Sequence, residues 1–146
     1  MSLEILQAKS EIKELVDTFS NLADEKRIPD QMPLFTEDTT VKVYMGDALL
    51  FDISGTEQLE EVFTGFTANV TRSYHINGQQ VVNVDGDTAT GIAYCQVKLV
   101  SVEEGQEVIT DSSIRYDDTF VRQNGTWLIK KRISHFTINE KRPLQG

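Results

Sequence analysis

Residues 71–139, TRSYHINGQQVVNVDGDTATGIAYCQVKLVSVEEGQEVITDSSIRYDDTFVRQNGTWLIKKRISHFTIN, decide the fold. They divide into four long segments rich in Val, Ile, Thr, Tyr and Phe. The dividers carry turn chemistry: Asp85-Gly86-Asp87, then Glu103-Glu104-Gly105-Gln106, then Gln123-Asn124-Gly125. Asp-Gly and Asn-Gly between alternating runs are the strongest short-range hairpin signals, because these residues tolerate the positive φ of a tight hairpin turn. Each segment runs about a dozen residues or more, against about 5–6 for an ordinary strand. The stretch therefore predicts a four-stranded antiparallel meander long enough to bend around something. One of its faces is apolar and needs a cover.

The residues before it supply that cover. Ile12, Leu15, Val16, Phe19, Leu22 and Ala23 repeat at three- and four-residue spacing within residues 3–27, the pattern of an amphipathic helix. Arg27-Ile28-Pro29 is expected to end it, since the residue before a proline avoids the helical region. A short helical turn through Gln31-Met32-Pro33-Leu34-Phe35 leads to a strand over Thr39–Met45, with Val41, Val43 and Met45 on one side. Gly46-Asp47 makes the turn to its hairpin partner, Ala48–Ile53. Ser54 and Glu57 have the spacing of a capping box. They open a second amphipathic helix that carries Leu59, Val62, Phe63 and Phe66 and ends before Asn69. Helices set against one face of a curved antiparallel sheet make an α+β domain. Two helices cannot cover all of so long a sheet, so the remainder is a pocket, an association surface, or both.

Composition narrows the partners. At 146 residues the chain fits one domain, residues 1–146, with a real core. Its net charge is −9 and its pI near 4.6. The 14 Lys and Arg are scattered, and Lys130-Lys131-Arg132 lies inside a strand and so divides between two faces. Nucleic acid, which needs clustered cations to neutralise phosphates, is not an expected partner. No apolar run approaches the roughly 20 residues that span a bilayer, and no signal-peptide core follows Met1, so no membrane partner is expected. The single cysteine, Cys95, cannot form an internal disulfide and fits a reducing cytoplasm. The two histidines, His75 and His135, come without HExxH spacing or paired cysteines, so no metal is expected. A phosphate-cradling glycine loop and a G-x-S-x-G elbow are likewise missing, since the glycines sit at turns.

Several local patterns converge on one family. They are Leu22-Ala23-Asp24-Glu25-Lys26 closing the first helix, Leu34-Phe35-Thr36-Glu37-Asp38 before a strand, and Ser54-Gly55 opening the second helix. Tyr74-His75 at the start of the meander joins them, as does the run from Tyr116 to Trp127 leading into the last strand. In that order and spacing the chain resembles, over nearly its whole length, the SnoaL-like group of the nuclear-transport-factor-2-like superfamily. The resemblance implies a cystatin-like curved sheet forming a cone with a ligand cavity at its open end. Superfamily members include polyketide cyclases, ketosteroid isomerase, scytalone dehydratase and hexachlorocyclohexane dehydrochlorinase. The dehydratase and the dehydrochlorinase use an Asp–His dyad, whose positions match Asp24 and His75. A pocket arginine five residues after the tryptophan matches Arg132. The dehydrochlorinase's pocket lysine, five residues before the Asp, is Phe19 here, which weakens the case for a dehydrochlorination substrate. The exposed sheet of such cones also implies a homodimer through the outer face of the meander.

The residues carry their own chemical reading. Histidine can take and return a proton near neutral pH, and a carboxylate on its other ring nitrogen fixes the tautomer and stabilises the imidazolium. Such a pair suits elimination, dehydration or double-bond migration without a cofactor. Arg132 could hold an oxyanion or a carboxylate through its planar fork. At about 100° per residue, Asp24 lies roughly 120° from the centre of the helix's apolar stripe, at its edge. His75 has the opposite parity to Val82 and Val84 but that of Val81, so alternation leaves its face open. Tyr44, Tyr94 and Tyr116 could each offer a phenolic donor to a substrate oxygen, and His135, on the parity of Trp127, Ile129 and Ile133, could approach the cavity and the substrate in it. Cys95 reads as a small core or pocket-wall hydrophobe. Two functions stay open: a cofactor-independent lyase or isomerase acting on a small hydrophobic, polyketide- or steroid-like molecule, and a non-catalytic ligand-binding or dimeric interaction module.

Overall fold

Ser2 caps the first helix: its Oγ accepts the Ile5 N–H at 3.1 Å, satisfying an amide that the first turn leaves free. That helix, α1, runs Leu3–Asp24 in a computed structural model that describes residues 2–145. Ile12, Leu15, Val16 and Phe19 form its buried stripe, as their spacing predicts, and Ala8 extends it, whereas Leu22 and Ala23 of the expected stripe are only half-buried. It stops before the proline can act. Lys26 takes a left-handed φ of 56°, its N–H donates to the Ala23 carbonyl at 3.0 Å, and the Arg27 N–H donates to Leu22 at 2.9 Å. This paired return is a Schellman ending, and it makes Asp24 the last helical residue.

A short α2 (Ile28–Gln31) and one turn of 3-10 helix (Met32–Leu34) carry the chain to β1 (Phe35–Met45). The strand starts at Phe35 rather than at the expected Thr39. β2 (Ala48–Ser54) pairs back antiparallel, and α3 (Thr56–Phe66) follows. The predicted capping box does not form. Ser54 remains in β2 and Gly55 takes the cap at φ 84°, its N–H donating to the Thr39 carbonyl at 2.7 Å. With the cap one residue later, it is Gln58 rather than Glu57 that reaches back, accepting the Ser54 N–H at 2.8 Å.

The meander is as the turns predict: β3 (Val70–Asp85), β4 (Thr88–Glu103), β5 (Gln106–Gln123) and β6 (Thr126–Pro143). Gly86, Gly105 and Gly125 all have positive φ in the three turns. The sheet order is β2-β1-β6-β5-β4-β3. One ladder departs from the antiparallel expectation, because β1 and β6 are parallel and the six-stranded sheet is therefore mixed. Turn signals specify only sequence neighbours. Here the crossover through α3 delivers the chain to the far edge, and the meander returns it beside β1.

Bulges set which side chains face inward. In β3, Asn77 pairs with Cys95 and Gln80 with Ala93, so an extra residue is taken up at Gly78-Gln79. In β6, Phe120 pairs with Ile129 but Thr119 with Lys131, which leaves Lys130 as the extra residue. Each insertion flips the alternation and adds curvature. The inner face takes up α1 and α3 in a core that includes Ile12, Val16, Leu59, Phe120 and Ile129. A second cluster of Ala93, Cys95, Val97, Ile114 and Tyr116 lies further along the sheet.

Candidate active site

Because α1 ends at Asp24, this carboxylate sits where the helix meets the inner face of β3. Three donors from β3 converge on it. Ser73 Oγ donates to Oδ1 at 3.1 Å, the His75 backbone N–H donates to Oδ2 at 3.0 Å, and His75 Nδ1 lies 2.6 Å from Oδ1. A carboxylate accepts and does not donate, so Nδ1 is the donor to Asp24 and Nε2 is the ring nitrogen that Asp24 does not engage. The bulge after Asn77 puts Ser73, His75 and Asn77 on the same face as Val82. Asn77 Nδ2 donates to Asp17 Oδ1 at 2.9 Å and to Ser20 Oγ at 3.1 Å, pinning the helix to the strand about two turns before Asp24.

His75 is part of the wall of a cavity of about 360 Å³. Phe19, Val41, Phe63, Val97 and Ile114 make most of that wall apolar, and Arg132 and Tyr116 belong to it too. The His75 side chain is 13% exposed and that of Asp24 27%, so the pair is sheltered yet reachable. At the rim, Lys26 Nζ donates to the Val70 carbonyl at 2.8 Å, tying the end of α1 to the start of β3.

The Lys130 bulge turns Arg132 inward, where its guanidinium is fixed on three sides. Nε and Nη2 donate to the two oxygens of Asp118 at 2.8 and 3.0 Å. The Tyr116 and Phe19 rings lie 3.8 and 4.8 Å from the guanidinium carbon. Both side chains of the ion pair are almost wholly buried, at 2% and 1% exposed. Burial works to discharge Arg132, but the charge and hydrogen bonds of Asp118 outweigh it and hold the guanidinium above its ordinary value. Burial keeps Tyr116 a neutral phenol, well above its usual range against the pull of Arg132, and pushes the Cys95 thiol up to about 11.

His75, Tyr116 and Arg132 thus share one hollow, and Asp24 backs His75 from behind its lining. Tyr44, Tyr94 and His135 do not share it, and their expected roles against a substrate there are corrected. The Lys130 bulge reverses the parity that grouped His135 with Ile129. His135 instead meets Asp117 at 3.0 Å and stacks on Tyr44, centroids 5.6 Å apart, on the outer face. Tyr94, between the inward Ala93 and Cys95, is 41% exposed. Sequence reasoning missed Ser73 and Asp118. Ser73 had a signal, since Ser73, His75 and Asn77 alternate beneath a helix end. Asp118 had one too, through its shared parity with Tyr116. Among the described residues, no group of three His, Cys, Asp or Glu is placed to hold a metal ion, and no helix is long and apolar enough to cross a membrane.

A SnoaL-like domain model matches residues 4–133. The chain belongs to the SnoaL-like family. An uncharacterized protein of Mycobacterium tuberculosis (strain ATCC 25618 / H37Rv) is 28% identical over 134 residues, 91% of this chain and 88% of that protein. Among solved structures, a candidate scytalone dehydratase from Novosphingobium aromaticivorans DSM 12444 superposes with a TM-score of 0.84 at 20% identity, covering 100% of this chain and 95% of the other. A hexachlorocyclohexane dehydrochlorinase, LinA type 2, gives 0.77 at 17% identity, covering 99% and 93%. The SnoaL-like chain therefore has the cystatin-like α+β fold expected of it, built here on an open, mixed sheet.

Proposed function

We propose that this SnoaL-like protein is a cofactor-independent lyase or isomerase that removes a proton from carbon in a small hydrophobic, polyketide- or steroid-like substrate. The observation that carries the reading is the 2.6 Å contact of Asp24 with His75 Nδ1 at the wall of an apolar cavity. Nε2 takes the proton from carbon next to a carbonyl or leaving group, and Asp24 stabilises the imidazolium that results. The apolar wall keeps water from competing and strengthens the electrostatics within. The likeness to a candidate scytalone dehydratase and a dehydrochlorinase supports the same class of chemistry. We further propose a homodimer in the cytoplasm, joined through the outer face of the meander.

The test is turnover of a panel of hydroxylated ketones and polyketide-like compounds by the wild type, His75→Ala and His75→Gln. Loss of a positioned base lowers the rate by about 10²–10⁴-fold. Equal turnover in all three proteins overturns the dyad and leaves the cavity as a ligand-binding site without chemistry.

A further inference from the structure

The four-residue helix α2 carries a side chain that its surroundings do not explain. Gln31 stands among Ile28, Met32 and Phe35, all buried, and is itself only 2% exposed. An amide taken out of water is costly unless its hydrogen bonds are replaced, and Gln31 replaces only some of them. Its Nε2 donates to the backbone carbonyl of Phe19 in α1 at 3.0 Å. Because a carbonyl can only accept, that bond fixes which end of the amide is the nitrogen and which the oxygen. Nothing among the described residues donates to Oε1.

Gln31 lines the cavity beside Phe19, Ile28, Val62 and Phe63, so this acceptor borders an apolar hollow. The polar groups of the same wall do not serve it. Lys26 Nζ donates to Val70, Ser73 Oγ to Asp24 and Ser112 Oγ to Asn139, and Nη1 of Arg132 has no partner among the described residues. A buried acceptor left open is stabilised by whatever donor enters the cavity. A neutral amide cannot compensate a buried ammonium, so that donor is uncharged. We infer that Oε1 of Gln31 receives a hydroxyl of the ligand, which makes Gln31 a specificity-determining residue of the cavity. An amide oxygen has no proton to give to a departing hydroxyl, so the group held here is one that the substrate keeps. The inference deepens the lyase or isomerase reading by adding a second fixed point to the same site: a hydroxyl on Gln31, away from the carbon that faces His75. It is decided by binding alone, so either reading can fail without the other.

Calorimetry with two pairs of aromatic probes of matched shape tests it: naphthol against fluoronaphthalene, and methoxynaphthalene against ethylnaphthalene. Only naphthol carries a donor, whereas the methoxy oxygen can still accept. The wild type binds naphthol about fivefold tighter than fluoronaphthalene, the worth of one neutral hydrogen bond, and binds the second pair alike. Gln31→Met, close to glutamine in volume, brings naphthol down to the level of fluoronaphthalene. His75→Ala, which removes the other acceptor in the wall and with it the proposed base, keeps the preference. Equal binding of naphthol and fluoronaphthalene by the wild type overturns the assignment, as does a preference that survives Gln31→Met or vanishes in His75→Ala. A methoxy preference over ethyl as large as that of naphthol over fluoronaphthalene also overturns it, since the ligand oxygen would then be accepting. Should Gln31→Met fail to fold, a crystal structure of the wild type with naphthol decides. The hydroxyl oxygen belongs within about 2.5–3.0 Å of Gln31 Oε1, and its lying against His75 or Arg132 instead refutes the inference.

Discussion

Asp24 meets His75 because of where a helix stops. Had α1 continued to the proline, the carboxylate would lie mid-helix with its side chain directed along the surface. The left-handed Lys26 makes it terminal and brings it over Ser73 and His75. Asp24→Asn replaces an acceptor by a group that cannot hold the Nδ1 proton, and turnover falls by about 10²–10⁴-fold. Ser73→Ala removes one of the three hydrogen bonds on that carboxylate; at about 1.5 kcal/mol for a bond to a charged group, its loss of kcat should be close to tenfold, with KM unchanged. A Ser73→Ala enzyme as impaired as Asp24→Asn would mean that Asp24 is not the group that orients the base. Cys95 makes a separate prediction. Its pKa is raised from 9.0 to about 11 by burial, so the folded state keeps the thiol proton over a range in which the unfolded chain has lost it. The contribution to stability is complete below pH 9 and is lost as pH rises toward 11. Thermal melting followed across that window should decline more steeply in the wild type than in Cys95→Ala, and parallel curves would contradict it.

At the scale of elements, the bulges decide the site. Trp127 and Ile129 face inward by ordinary alternation, while Arg132 and Ser134 do so because Lys130 is an extra residue. The meander, its turns and the two amphipathic helices were legible in the sequence, because glycine turns and apolar spacing are local signals. The dyad positions were legible through resemblance. The faces of His75 and His135 were not, since alternation cannot register an insertion that the partner strand alone defines. Nor was the parallel β1–β6 ladder, which pairs segments far apart in the chain. Deleting Lys130 should turn Arg132 to the wrong face and destabilise the protein by more than about 4 kcal/mol, whereas Lys130→Ala, an exposed substitution, should stay within about 0.5 kcal/mol. Urea unfolding of the two variants measures the difference, and a deletion no worse than the substitution would remove the bulge from the account.

The whole molecule carries two further expectations. The Arg132–Asp118 pair sits at the heart of the domain, so Arg132→Met alone leaves a buried carboxylate without its partner and should cost about 3–5 kcal/mol, while Arg132→Met/Asp118→Leu should recover most of that; denaturant midpoints at neutral pH compare them. On the outer face of the meander, Tyr74, Ile76 and Val81 are 60%, 55% and 66% exposed, more apolar surface than a solitary sheet usually presents to water. Sedimentation should find a dimer that Ile76→Lys disperses; a wild type that stays monomeric at micromolar concentration would refute it. The parallel ladder has a consequence in time. Thr40 pairs with Lys131, so an early strand has no permanent neighbour on that side until one of the last segments has been synthesised, and long loop closures are slow to form. On the ribosome, α1 and the first hairpin must wait with oily faces uncovered. A nascent chain halted before β6 is a client for chaperones, and the hollow that holds His75 and Arg132 is among the final things the molecule makes.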